Sequence, residues 1–481
     1  MKFYYFLGCF LFSLTSSIAQ VGIGTTDPDP SAVLDIESTT GGLLTPRMST
    51  ADILLISNPA EGLLVFDTDK DIFCFYSGGN WNPVESSEKR DNYRLVKSTA
   101  DLSDELIAGG GSKYVLSSNF LYEINGNITI DYPIELNGAY IEGVDVGSDV
   151  LTNGSSGALF TGTTGGSLRN MSVNGNGKQV FNINGGGTAN IVVNSTIFYG
   201  ASSLGTANNV NAFFVRSSSY ASNIDGFSIT NAVNVIFGGP FWASSNQGTF
   251  LTLNGAITNV EITGGSVAVD SGETGIDVSS DPAVTKGVIF NTNFTGNGTL
   301  VDGYSATNTY AGYSFSNNWF VNTPGIPLET DFVANGNISL NAAVGVGYVT
   351  DFITIGSGVP AKLGGVTTNN NLFRFIASGN NRIVYDGEKT RYFNISASIS
   401  AQGSAGAYYI FYIAKGNSGS ATATVLTDTK VYRLFSSATD IGAVSVLGSV
   451  QLAPGDFIEI WAERYVGAGT LNVVSMNLIA N

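Results

Sequence analysis

Four carboxylates fall in one short stretch, at Asp270, Glu273, Asp277 and Asp281. Carboxylates that converge in space do one of two kinds of chemistry. Two of them cleave a glycosidic bond, one as acid and the other as base or nucleophile. Several of them ligate Ca²⁺, which takes multiple hard oxygens. These four are the candidate metal ligands, with Ca²⁺ as the ion they would hold. Their spacing matches no calcium-loop consensus, and a solvated loop is the plainer reading.

Aromatic rings are the second source of chemistry. Tyr304, Tyr310, Tyr313, Phe315 and Trp319 crowd one stretch, and Phe237, Phe241 and Trp242 another. Sugars stack on Trp and Tyr faces, and such rings offer a large amphipathic contact. Trp242, Tyr304, Tyr310, Tyr313 and Trp319 are therefore candidate ligand-binding residues, with core packing as the competing explanation. Cys74 reads as a small buried hydrophobe.

Other chemistry is excluded by what the chain lacks. With no His in 481 residues there is no Ser-His-Asp or Cys-His catalysis and no imidazole zinc site. The glycines at 185–187 are followed by no Lys-Ser/Thr pair, so they are not a phosphate loop. A net charge of −17 argues against nucleic acid and anionic membrane as partners, since both need basic patches. The expectation is a protein with no catalytic residues and no cofactor, binding glycans or a surface partner.

The elements that carry these residues follow from composition. Gly is frequent at 60 residues and only 12% of the chain is charged, about half the usual ~25%. Yet 43% is apolar, too much for a disordered acidic chain. The mixture predicts an all-β extracellular protein. Residues 1–19 read as a signal peptide: Lys2, an apolar run over 3–14, and Ser17-Ile18-Ala19 before Gln20. The run is too short for a membrane span, which needs ~20 residues. No later stretch is apolar enough to span either. Cleavage after Ala19 would leave Cys74 as the only thiol. The expected location is secreted or on the outer cell surface.

Residues 20–85 form a distinctive module reading VGIGTT from Val21, SAVLDIES from Ser31 and GGLLTPRM from Gly41. This module resembles the N-terminal part of secreted fibre-like and adhesin-like surface proteins of Bacteroidetes bacteria, with relatives in phage tail fibres. The resemblance implies attachment or stalk architecture and carries no catalytic residue. Residues 86–112 read as a linker, with a charged run and a short helix begun by Ser98 and Asp101 and stopped at Gly109.

Residues 113–322 have another texture. Between 151 and 300 there are 20 Asn and 24 Gly but only 4 Lys and Arg, with short apolar strands between Asn/Gly turns and no helical period. An Asn or Gly opening an apolar strand recurs at Asn170, Asn190, Asn223, Asn259 and Gly287. That recurrence predicts a right-handed parallel β-helix with one strand-bearing coil per repeat, and an antiparallel sandwich is the runner-up. Gly and Asn suit the turns because they tolerate a left-handed backbone. Residues 122–143 resemble the opening coils of pectate-lyase-like fibre and spike proteins. Lyases of that kind set Arg or Lys beside acidic calcium ligands. Arg169, Lys178, Arg216 and Lys286, the only basic residues between 151 and 300, form no such motif.

Residues 323–335, with two prolines in Pro324-Gly325-Ile326-Pro327, read as a stiff linker. Residues 336–481 hold longer alternating strands and predict a jelly-roll or β-sandwich head. The segments 452–463 and 471–479 resemble the knobs of phage fibres and trimeric collagen-like or tumour-necrosis-factor-like heads, which implies a homotrimer. The combined expectation is a non-catalytic surface fibre or adhesin. The alternatives are a glycan-cleaving β-helix enzyme and a phage tail-fibre or spike receptor-binding protein.

Overall fold

The computed structural model describes residues 20–84 and 92–481. The expected signal peptide at 1–19 lies outside the described residues. The chain divides into two units, residues up to 91 and residues 92–481.

In the first unit, Val21–Ile23 pairs in parallel with Leu34–Ile36. A four-stranded sheet joins Arg47–Met48, Leu64–Asp67, Ile72–Ser77 and Asn80–Pro83. Ser49 caps the single-turn helix Thr50–Leu54 by accepting from the Asp52 amide, which satisfies an otherwise orphaned N–H. The core is small: among the described residues its buried members are Ile53, Val65 and Cys74. Meanwhile Val33, Leu43, Leu44, Leu54 and Leu55 are 66–80% exposed.

The second unit opens with a parallel β-solenoid. The chain is all-β, and successive coils pair in register from Tyr93–Val96 onward, which lies on Leu121–Ile124. Residues 92–112, expected as linker, are thus folded into the first coil. Ser98 and Asp101 form a reciprocal capping box and Gly109 ends the helix Ser103–Ala108.

Each coil has three faces. One is an eight-stranded sheet of short strands. The other two are the halves of long strands such as Gln179–Asn194, Ser203–Arg216, Phe227–Gly238 and Thr249–Thr263. These bend in the middle, at Asn209 (φ +51°), Asn231 (φ +53°) and Gly255 (φ +67°). Side chains alternate in and out along every strand. The inward ones stack coil upon coil into an aromatic core of Phe181, Phe198, Phe213, Tyr220, Phe227, Phe237, Trp242 and Phe250.

The third face ends in a sharp corner. Asn170, Ser195, Ser217, Gly239, Gly264 and Asn291 occupy it in successive coils, all with φ between +50° and +66°. Each donates its amide to the coil that follows, Ser217 to the Gly238 carbonyl at 2.7 Å and Gly239 to the Thr263 carbonyl at 2.7 Å. The left-handed conformation costs a non-glycine residue about 1–2 kcal/mol, and the ladder of inter-coil bonds holds it there.

Outward columns differ in character. Before the bend, one runs Asn182, Thr206, Ser228, Thr252, Asp277, Asp302. After the bend, another runs Tyr93, Leu121, Tyr140, Ser167, Val192, Phe214, Ile236, Glu261, Val288, Phe320. None of these ten is fully buried.

From Asn335–Asn341 the chain forms two antiparallel sheets of six and seven strands around a core that includes Phe375, Tyr385, Phe393, Tyr409, Phe411 and Met476. Residues 323–335, expected as a stiff linker, hold a bridge between Val321 and Glu329 and the short helical turn Asp331–Val333.

Candidate functional site

The acidic stretch does not converge. Glu273 accepts from the Asp270 amide at 2.7 Å. Asp277 accepts from the Ser279 amide and hydroxyl at 3.0 and 2.7 Å. Asp281 accepts from the Ser305 amide at 2.8 Å, and that bond holds its carboxyl below the ordinary value. Glu273 and Asp277 each close a local turn, as short acidic side chains do, and Asp281 reaches a residue 24 positions on. Among the described residues no group of three or more Asp, Glu, Cys or His is placed to hold a metal, so the geometry gives no support to the calcium expectation.

The aromatic candidates are also redistributed. Trp242 and Trp319 are 1% exposed and Tyr304 8%, which removes their faces from any sugar. Trp242 lies 5.4 Å from Phe250 between ring centroids. Trp319 donates its indole N–H to the Tyr304 hydroxyl at 3.2 Å, and that hydroxyl donates to the Pro282 carbonyl at 2.7 Å. Burial of inward rings is what the solenoid core requires. Tyr310 and Tyr313 sit instead at the joint between solenoid and sandwich. Tyr313 stacks on Phe373 at 3.8 Å and Tyr310 meets the same ring edge-on at 5.3 Å.

That joint is a polar network. The Tyr310 hydroxyl and the Asn317 amide both donate to Asp386 Oδ2 at 2.7 Å. Arg374, 1% exposed, donates to the Asn317 carbonyl and to the Trp319 carbonyl, the latter at 2.7 Å. Its Nε lies 3.8 Å from Asp331. Glu329, fully buried, accepts from the Ser314 and Phe315 amides at 2.7 and 2.9 Å. Burial raises its pKa to about 7, against the lowering effect of those two amides. Arg374, Asp386 and Glu329 were not singled out in the sequence. One signal was there: a lone Arg inside the apolar run Leu372-Phe373-Arg374-Phe375-Ile376 is a charge that must be paired if the run is buried.

Over this network lies an open groove of about 380 Å³, lined by Thr307, Asn308, Tyr310, Asn317, Asn318 and Asp386. A second hollow of about 430 Å³ shares Tyr310 and Ile376 with it and adds Asn369, Asn370 and Asn371. The Asn317 Oδ1 is buried there without a hydrogen-bond partner. Amide side chains both donate and accept, which suits a ligand rich in hydroxyls. This joint is the candidate ligand-binding site, and Tyr310 is the one predicted aromatic residue that lines it.

Residues 22–99 match the family described as the phage tail like trimerisation region. No curated protein matches this chain. Among solved structures, the enzymatically active domain of tailspike protein 4 from bacteriophage CBA120 is similar over 90% of this chain and 77% of its own, at 10% identity and a TM-score of 0.27. Tailspike protein gp49 from Acinetobacter baumannii bacteriophage Fri1, a capsular polysaccharide depolymerase, is similar over 91% and 98%, at 9% identity and a TM-score of 0.21. Murine APRIL at pH 5.0 is similar over 31% of this chain and 99% of its own, at 10% identity and a TM-score of 0.20. No helix among the described residues is long and apolar enough to cross a membrane.

Proposed function

We propose that this chain is the subunit of a homotrimeric receptor-binding fibre of the phage-tail type, which engages a surface glycan at the joint between solenoid and sandwich. The observation that carries the reading is in the first unit. Residues 22–99 match a trimerisation region, and the described part of that unit buries only Ile53, Val65 and Cys74 of its hydrophobic side chains while exposing nine Val and Leu side chains. A core of that size does not stabilise a separate domain, and oligomerisation is one of the few remedies open to it. The amide-lined groove supports glycan as the ligand class.

A secreted bacterial adhesin of the same architecture is the second reading, favoured by the export-type sequence of residues 1–19. Both readings leave the fibre without a catalytic role. The test uses the chain from Gln20 onward. Light scattering is expected to give a three-chain mass, and a panel of capsular and lipopolysaccharide glycans is expected to yield one binding class. Asn308→Ala with Asn370→Ala should abolish that binding. A single-chain mass, or no glycan bound, overturns the proposal. Release of new reducing or unsaturated ends from the bound glycan replaces it with a depolymerase.

A further inference from the structure

A smaller hollow, of about 160 Å³, is lined by Phe320 of the last solenoid coil, by Asp331 and Phe332, and by Arg374, Lys389 and Arg391 of the sandwich. It shares no lining residue with the two amide-lined hollows. Local backbone puts these side chains there. Arg374 has a left-handed backbone, φ +56°, between the strands Thr368–Phe373 and Phe375–Ala377. That interrupts the in-and-out alternation of a strand, so Phe373, Arg374 and Phe375 are buried in succession. Asp331 opens a helical turn that Thr330 caps, and its Oδ2 accepts from the Glu388 and Lys389 amides, both at 2.9 Å. The Arg391 guanidinium lies 5.2 Å from the Phe332 ring and 5.3 Å from the Phe393 ring, and such contacts fix its place.

Three atoms of this lining are buried with no hydrogen-bond partner: Arg374 Nε, Arg391 Nη1 and Asp331 Oδ1. Native proteins leave few such atoms unpaired, and each calls for an explanation. Arg374 is 1% exposed. Its two Nη atoms serve the Asn317 and Trp319 carbonyls, so Nε is the donor that remains. Arg374 Nε and Asp331 stand 3.8 Å apart, too far for a direct hydrogen bond. The unmet set is therefore two cationic donors and one anionic acceptor. The charges point the same way. Arg374, Lys389 and Arg391 face Asp331 and Glu388 around the hollow, three cations against two carboxylates in a chain of net charge −17. Among the described residues no carboxylate pairs with Lys389 or Arg391.

We infer that this hollow binds a single sugar acid, a hexuronate, whose carboxylate accepts from Arg374 and Arg391 and whose hydroxyl donates to Asp331. The inference takes glycan as the ligand class from the reading above and adds a second site with its own chemistry. A neutral sugar would leave the guanidinium donors without a counter-charge. A simple anion would leave the Asp331 oxygen without a donor and set like charges together. Only a ligand carrying both groups satisfies all three atoms. Phe320 and Phe332, the latter 76% exposed, supply an apolar wall for the C–H face of the ring. Drug-sized sites begin at about 300 Å³, so this smaller hollow takes one residue, free or at a chain end.

Ligand-observed NMR titration of the chain from Gln20 onward tests this, with glucuronate, glucose and acetate as probes. Glucuronate is expected to bind at least tenfold more tightly than glucose or acetate, and more weakly as salt is raised. Arg391→Gln should weaken it tenfold or more, and Lys389→Gln, at an exposed position, severalfold. Circular dichroism checks that each variant keeps the wild-type fold, and the Lys389 variant stands in if the Arg391 variant does not. Asn308→Ala with Asn370→Ala should bind glucuronate as the wild type does. No glucuronate binding, equal binding of glucose, or full affinity in the folded variants overturns the inference. Equal binding of acetate overturns it too and leaves a simple anion site. Polymer binding that depends on Asn308 and Asn370, without glucuronate binding, sinks this inference and spares the amide-lined groove. Glucuronate bound through Arg391, with no polymer bound, does the reverse.

Discussion

Asn223 donates its side-chain amide to the Oδ1 of Asn246 at 2.9 Å, one coil away, in a position where both residues are 1% exposed. The two continue the contact into the backbone: Asn223 accepts from the Ala201 amide and donates to the Phe198 carbonyl, and Asn246 donates to the Tyr220 carbonyl. Asparagine supplies a donor and an acceptor at one site, and here both are used to close a turn inside the core.

Asn223→Ala should therefore destabilise the solenoid by about 3–5 kcal/mol, since it strands several buried groups at ~1–3 kcal/mol each. Asn223→Asp should be no rescue, because it loses the donors to Phe198 and Asn246 and adds a buried charge. Guanidinium unfolding midpoints of the two variants are the check.

Tyr220 gives the opposite sign. Its ring stacks with Phe198 at 5.8 Å, but its hydroxyl is buried with no partner among the described residues. Tyr220→Phe should keep the packing and remove a stranded polar group, raising stability by about 1–2 kcal/mol. A lower thermal midpoint for the variant would contradict this.

Glu329 links the joint to pH. Its folded pKa, about 7, stands above its ordinary 4.5, so the folded state holds the proton more tightly than the unfolded one. The stabilisation is complete below about pH 4.5 and is lost as the pH rises through about 7, by roughly 3 kcal/mol in all. Glu329→Gln should flatten that slope. Unfolding midpoints of wild type and variant across pH 4.5–8 measure it directly.

Arg374 ties sandwich to solenoid. Arg374→Met should leave the carbonyls of Asn317 and Trp319 without their buried donor and cost about 3–5 kcal/mol. Lys cannot reproduce the forked geometry of the guanidinium, so Arg374→Lys should recover little of it. Calorimetry is expected to show the single transition of the joined unit separating into two.

The architecture was legible in the sequence because a solenoid repeats its backbone problem in every coil. Gly and Asn turns between short apolar strands announced it. The repeat length was not legible. Asn190 and Asn259 share one column, separated by Ala212 and Asn234, whereas Asn170 and Asn223 belong to two different turns. Reading all of them as one position stretched some steps beyond a coil. Four successive corners of the last face are held by Ser195, Ser217, Gly239 and Gly264, and serine gives no turn signal of that kind.

The candidate residues were less legible, for a related reason. Type alone does not say which way a strand residue points, and one step along the strand turns Trp242 from surface to core. The acidic stretch looked like a site because its members are close in sequence, yet Glu273 and Asp277 satisfy their own turns and Asp281 bonds Ser305, 24 positions on. The residues at the joint were hidden by the converse: Tyr310 and Asp386 are 76 positions apart.

The stacked left-handed corners also set how such a fibre changes size. Each corner amide bonds to the neighbouring coil, and each coil brings one corner, one bend and one share of the core. Loss or duplication of a complete coil leaves every remaining junction chemically the same, whereas a gain of one or two residues at a corner would shear the ladder. Reach therefore varies in graduations of about 4.8 Å, and descendants of this chain can lengthen or shorten their shaft by recombination without redesigning either end.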